Sequence, residues 1–171
     1  MALTTSGTAV ITPYYVNSTP ALQEHYKQEP SVNVSKFGYL YNWAAAVGLA
    51  DGSTQNTEFT EKRQGICPNG WHLPTELEYN ILINTIGDSS AIKLKSTYGW
   101  SSGGNGINSV GMSIFPAGYG IGSEVHYIGN YTFFWTATPA RHLFLYGGQQ
   151  DALIYNEYKE RAACIRCVKD N

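Results

Sequence analysis

Charge is scarce in this chain: Asp, Glu, Lys and Arg make up 14% of 171 residues, the net charge is −2, and no run of Lys and Arg occurs. Nucleic acid is held largely by clustered cations on its phosphates, so no nucleic-acid partner is expected. No stretch is long and apolar enough to span a bilayer, so no membrane span is expected either. The four histidines, His25, His72, His126 and His142, fall in separate segments without the spacing of a metal site such as HExxH. Gly-x-Ser-x-Gly, a P-loop and a Gly-x-Gly-x-x-Gly before a helix are all missing; Gly118-Tyr119-Gly120-Ile121-Gly122 reads as a turn-rich loop. With carboxylates sparse and Glu78 engaged in a helix cap, paired acid/base work has no candidates. No catalytic residue is assigned, and neither a metal nor another cofactor is expected. The opening Met-Ala-Leu-Thr-Thr-Ser-Gly has no charged leader and no apolar core, so no secretory signal peptide is expected here.

What the chain does have is rings and glycine, 13% aromatic residues and 18 Gly. Glycine supplies turns and large rings fill layers between irregular segments, so the expected fold class is α+β, with short strands, long loops and few helices. The stretch that organises it is Gly65–Tyr79. Pro68, Asn69 and Gly70 reverse the chain and direct Trp71 inward. Pro74 disfavours helix at Leu73, and Thr75 with Glu78 three residues on is a capping box, so a helix starts at Thr75 and ends at Gly87. Leu73, Leu77, Ile81, Leu82 and Ile86 give it an apolar face. His72 reads as a structural histidine with satisfied nitrogens.

Residues 1–36 differ from the rest. Thr8–Thr12 can form a strand, but Pro13, Pro20 and Pro30 interrupt regular structure, which suggests an extended arm. Residues 37–171 then form the folded domain. Phe37–Tyr41 reads as a strand, Asn42 as the cap of a Trp43–Val47 helix, and 50–64 as a loop. Ile92–Ser96 is a short element, and 99–113, with five glycines, an irregular insertion. Tyr131–Thr136 reads as a core strand, Ala162–Val168 as the last one. In Arg141–Tyr146 alternation places Leu143 and Leu145 inward and His142, Phe144 and Tyr146 outward. Gly147-Gly148 lets Asp151–Tyr155 return as its partner.

Several of these segments together resemble a known family. Cys67-Pro68-Asn69-Gly70-Trp71-His72-Leu73-Pro74-Thr75-Glu76 is similar to the signature of the Fibrobacter succinogenes major paralogous domain, and Leu73–Glu76 to a motif of the formylglycine-generating enzymes. Gly38–Ala46, Leu94–Trp100, Phe115–Tyr119, Phe134–Thr138 and Ile165–Asp170 match in order. The resemblance implies a C-type-lectin-like fold, with two short helices and a small, mostly antiparallel twisted sheet. It also suggests that Cys67 and Cys167 tie an early element to the last one; two buried thiols are the alternative, and both remain open. Cys164 and Cys167 form a CxxC without a second pair, and Cys164 reads as structural. The enzymes' reactive cysteine pair is not reproduced, so that activity is not carried over. The Glu-Pro-Asn and Trp-Asn-Asp motifs of calcium lectins are missing too.

Function is therefore expected on a surface. Arg141, His142, Phe144, Tyr146, Gln149, Gln150, Asp151, Tyr155, Asn156, Glu157 and Tyr158 make a Tyr/Asn/Gln-rich hairpin of paratope-like composition, directly before Ile165–Asp170. The position resembles the variable region of diversity-generating-retroelement target proteins. The expectation is a non-enzymatic module binding a protein or glycan on a cell surface, carried on a phage virion or a bacterial surface. The arm would assemble a homo-oligomer such as a trimer. The alternatives are a structural surface or lipoprotein domain without a specific ligand, and an enzyme of the formylglycine-generating type.

Overall fold

The computed structural model describes residues 37–49, 59, 62–121 and 124–170. The arm, its Thr8–Thr12 strand and most of the 50–64 loop lie outside the described residues. In chain order the elements are α1 (Trp43–Ala46), β1 (Trp71–His72), α2 (Glu76–Ile86), α3 (Ser90–Leu94), β2 (Tyr119–Ile121), β3 (Glu124–His126), β4 (Tyr131–Trp135), β5 (Arg141–Tyr146), β6 (Leu153–Asn156) and β7 (Val168–Lys169). This is an α+β fold of few helices and small antiparallel sheets: β1 with β7, β2 with β3, and the three-stranded β4-β5-β6.

Local chemistry accounts for where the helices begin. Asn42 Oδ1 accepts from the Ala45 N–H at 2.8 Å and starts α1. At α2 the capping box is complete, with Thr75 Oγ1 accepting from Glu78 N–H and Glu78 Oε2 accepting from Thr75 N–H at 2.8 Å. Gly87, at φ 71°, ends it, a left-handed position that costs glycine little.

The three-stranded sheet is covered on one face and, at one end, on the other. On one face Phe134, Leu143, Leu145 and half-buried Ile154 meet Tyr79, Leu82, Ile83 and Ile86 of α2, Leu94 of α3, Trp100 and Ile114. On the other, Phe133 and Trp135 pack with Trp43 and Ala46 of α1, with Val47 just after it, and with Leu73, Ala137 and Ala163. The indoles are also tied down: Trp135 Nε1 donates to Tyr41 O at 2.7 Å and Trp43 Nε1 to Thr136 O at 3.0 Å.

Several sequence expectations are corrected here. Leu77 and Ile81 are 66% and 55% exposed, because α2 turns Tyr79, Leu82, Ile83 and Ile86 towards the sheet. Trp71 is half-buried at the rim of the second cluster, since β1 is an edge pairing of two residues with β7. Phe37 is helical, and only Tyr41 of the expected first strand pairs, with Ala163. Of Ile92–Ser96, Ile92–Leu94 close α3, and Lys95 makes a single bridge to Ile114. Tyr119–Ile121 is a strand rather than a loop, paired with β3. Ala162–Cys164 is a stitch of single bridges to Gly120, Tyr41 and Phe134, and only Val168–Lys169 of that segment is strand.

Cys67 and Cys167 are joined in a disulfide across 100 residues, Cα atoms 5.9 Å apart, beside the β1–β7 pair. Cys164 is free and buried, its thiol pushed up to about 12 by burial, with Thr132 Oγ1 3.8 Å away. Two outcomes follow. Replacing Cys67 and Cys167 by Ser removes a closure worth up to about 4.7 kcal/mol in the chain-entropy view, so reductant or the double variant should lower the melting temperature, and peptide mapping should recover the Cys67–Cys167 cross-link. Trp135→Ala should cost about 3–5 kcal/mol in chemical denaturation, and Trp71→Ala distinctly less; equal costs would contradict this assignment of the core.

Candidate functional site

Strand alternation and register determine which side chains share the second face of the sheet. The pairs Tyr131–Tyr146, Phe133–Phe144 and Trp135–His142 sit opposite one another across β4 and β5, and Tyr155 and Leu153 of β6 stand opposite His142 and Phe144. The result is a continuous array of rings. Centroids are 4.7 Å apart for Phe133–His142, 5.3 Å for Phe133–Phe144, 5.7 Å for Tyr131–Phe144, 5.8 Å for Tyr131–Tyr146 and 5.6 Å for Phe144–Tyr155. Tyr119 of β2 lies on Phe133 at 4.7 Å, and Tyr127 joins Tyr119 and Tyr131 at 5.7 and 4.9 Å.

This array runs from core to surface. Trp135 is fully buried under α1, whereas Tyr127 is 55%, Tyr146 38% and Tyr155 50% exposed. Tyr158 is exposed as well, and the Arg161 guanidinium lies over both its ring and that of Tyr119, at 5.3 and 5.2 Å.

The expected site residues thus fall into three groups. Phe144, Tyr146, Tyr155 and Tyr158 are on or beside the ring face, Phe144 half-buried. His142 belongs to the same face but is 3% exposed, so its expected outward position is corrected: α1 and its cluster cover that end of the sheet. The Arg141, Asp151, Asn156 and Glu157 side chains are turned to partners within the chain, while at Gln149 and Gln150 it is the main chain that is engaged. Arg141 forms a two-pronged ion pair with Glu76, Nε to Oε2 at 2.8 Å and Nη2 to Oε1, and donates to Asn156 Oδ1 at 2.8 Å. Asp151 Oδ1 accepts from Ser90 N–H at 3.2 Å, and Glu157 Oε2 pairs with Arg161 at 2.6 Å. The Gln149 and Gln150 carbonyls accept from Lys95 Nζ and from the Ala91 N–H, at the far tip of the hairpin from Asn156.

Tyr119, Tyr127 and Tyr131 were missed by sequence reasoning. Tyr131 was reachable, since it alternates with Phe133 and Trp135 and faces Tyr146 once the two strands are paired. Tyr127 gave no such signal: it sits at φ 58°, a left-handed conformation that is strained for a bulky side chain.

Among the described residues His142 Nδ1 has no hydrogen-bond partner. Burial chiefly, with the positive charges of Arg141 and Arg161 adding, lowers it to about 4 from 6.5.

An α+β domain closed by a disulfide, with one ring-rich sheet face and, among the described residues, no trio of His, Cys, Asp or Glu that could hold a metal, is the class defined so far. The chain belongs to the Fibrobacter succinogenes major domain family, whose model matches residues 4–169. Neither the curated proteins nor the solved structures contain a match to it. No helix among the described residues is long and apolar enough to cross a membrane.

The buried imidazole makes stability sensitive to acid. Between pH 6.5 and about 4 the unfolded chain takes up a proton at His142 that the folded protein refuses, so stability is full above 6.5 and falls as pH drops through that window. The contribution lost is about 3 kcal/mol at most. Melting temperatures of wild type and His142→Phe from pH 7 to 4 should diverge in slope, with the flatter curve for the variant.

Proposed function

We propose that this protein is a non-enzymatic binding module of C-type-lectin-like fold, whose ring face recognises a protein or glycan on a cell surface. The observation that carries the reading is the ring array itself, which continues out of the core and leaves Tyr127, Tyr146 and Tyr155 in solvent on one face. Tyrosine offers contact area at small entropy cost and a hydroxyl at the rim, which suits it to recognition. The left-handed backbone of Tyr127 points the same way, because strain in a bulky residue is kept where its placement matters. A phage virion or bacterial surface is the proposed location, the retroelement-diversified proteins the proposed relatives, and the N-terminal arm the proposed route to a trimer.

A structural surface or lipoprotein domain is the second reading, favoured by the internal partners of Arg141, Asp151 and Glu157. Less supports an enzyme of the formylglycine-generating type, since Cys67 and Cys167 are bridged and the Cys164 thiol is buried.

The experiment compares wild type with Tyr127→Ala/Tyr146→Ala/Tyr155→Ala, labelled and titrated onto intact bacterial cells and onto an array of immobilised oligosaccharides. Phe144 is left alone because its ring contacts five neighbours, Tyr131, Phe133, His142, Tyr146 and Tyr155. Anchor rings contribute about 2 kcal/mol or more each, so binding should weaken more than about a hundredfold while the melting temperature holds. Equal binding, or loss of fold, would count against a site on this face.

A further inference from the structure

Tyr146 is the last residue of β5, and the 147–152 tip that follows lies against its ring. That tip is held from below by a lysine. Lys95, directly after α3, is 1% exposed, and its Nζ donates to Gly147 O at 3.1 Å and Gln149 O at 2.9 Å. The ammonium also lies 5.0 Å from the centre of the Trp100 ring.

The surrounding chain is shaped to enclose it. A Cβ on Gly106 would come within 2.5 Å of Lys95 Cβ, and one on Gly104 within 2.5 Å of Gly147 Cα, so both positions need glycine to let the 99–113 loop close over the lysine and the tip. On the other side Gly148 lies against Tyr146: a Cβ there would be 2.9 Å from its ring. Among the described residues no carboxylate pairs with Lys95. The charges beside it are occupied elsewhere, Lys93 Nζ on Ile86 O at 2.9 Å and Asp151 on the Ser90 N–H at 3.2 Å. Burial lowers Lys95 to about 8, the mark of an ammonium enclosed at a cost. A methionine would occupy that space without the cost, but would leave the two tip carbonyls without their donor.

We propose that Lys95 is a positioning residue for ligand binding, its ammonium pinning the Gly147 and Gln149 carbonyls and so holding the Tyr146 ring in its binding position. This rests on the ring-face reading and adds to it a residue that itself touches no ligand.

The test combines backbone 15N relaxation of the free protein with titration onto intact bacterial cells, for wild type, Lys95→Met, Tyr146→Ala and the double variant. In wild type the order parameters of 147–149 should equal those of β5, about 0.85, and in Lys95→Met they should drop below about 0.6 while 143–145 stay unchanged. Binding should weaken about tenfold in Lys95→Met through lost preorganisation, and that loss should disappear on the Tyr146→Ala background, as for two residues acting through one contact. Unchanged order at 147–149 in Lys95→Met, or a loss that adds in full to that of Tyr146→Ala, would overturn the pin and leave the ring-face reading standing. Equal binding by wild type and Tyr146→Ala would overturn that reading, and with it any part for Lys95 in binding. If Lys95→Met does not fold, Gly104→Ala, which displaces the Gly147 acceptor instead of removing the donor, takes its place in the same cycle, and wild-type order below about 0.6 at 147–149 overturns the pin by itself.

Discussion

A buried imidazole has two nitrogens to satisfy, and at His72 both meet carboxylates. Nδ1 lies 2.6 Å from Asp170 and Nε2 2.8 Å from Glu78, with the ring 1% exposed. Each ring nitrogen thus has its own carboxylate partner, so the three side chains form one connected unit. The rest of the frame is arranged around that contact. Glu78 is also the N3 residue of the α2 capping box, its other oxygen accepting from Thr75, so the start of the helix is fastened to the same carboxylate. Asp170 follows β7, which brings β1 and β7 together next to the disulfide. From there Pro74 O accepts from the Ala137 N–H at 2.7 Å and ties the unit to the chain just beyond β4.

Much of this frame was legible in the residues. Asn42, Thr75, Glu78 and Gly87 act locally, and local chemistry needs only the neighbouring sequence to be read. Leu143 and Leu145 were legible by alternation and are fully buried. The buried face of α2 was not legible, because both Leu77/Ile81 and Tyr79/Leu82/Ile83/Ile86 satisfy helical spacing, and only the docking onto β5 and β6 chooses between them. The same limit applies to His142. Alternation gives its face correctly, but that face counts as outside only if nothing covers it, and α1 arrives from about 100 residues away. Arg141 fared similarly: nothing local announces that Glu76, 65 residues earlier, will meet it.

The two-sided sheet has a further effect on the candidate site. Because Phe133 and Trp135 are core residues and Tyr131 and Tyr146 are their neighbours on the same face, the exposed rings of Tyr146 and Tyr155 stand on strands of a packed sheet, and Tyr127 leans on Tyr131 from the turn before β4. Large side chains lose less entropy on binding when their neighbours already restrict them. The proposed ligand face therefore draws its rigidity from the packing that stabilises the fold.

The disulfide also decides how the domain carries a load. Tension applied beyond Cys167 passes through the covalent bond to Cys67 and bypasses the 100-residue span between them. Roughly 330–360 Å of contour length is thereby locked away from extension. β4, β5, β6 and every ring of the candidate face lie inside that mechanically silent segment. Tension along the chain therefore meets the frame at Cys67 and Cys167 without drawing out the strands that carry those rings.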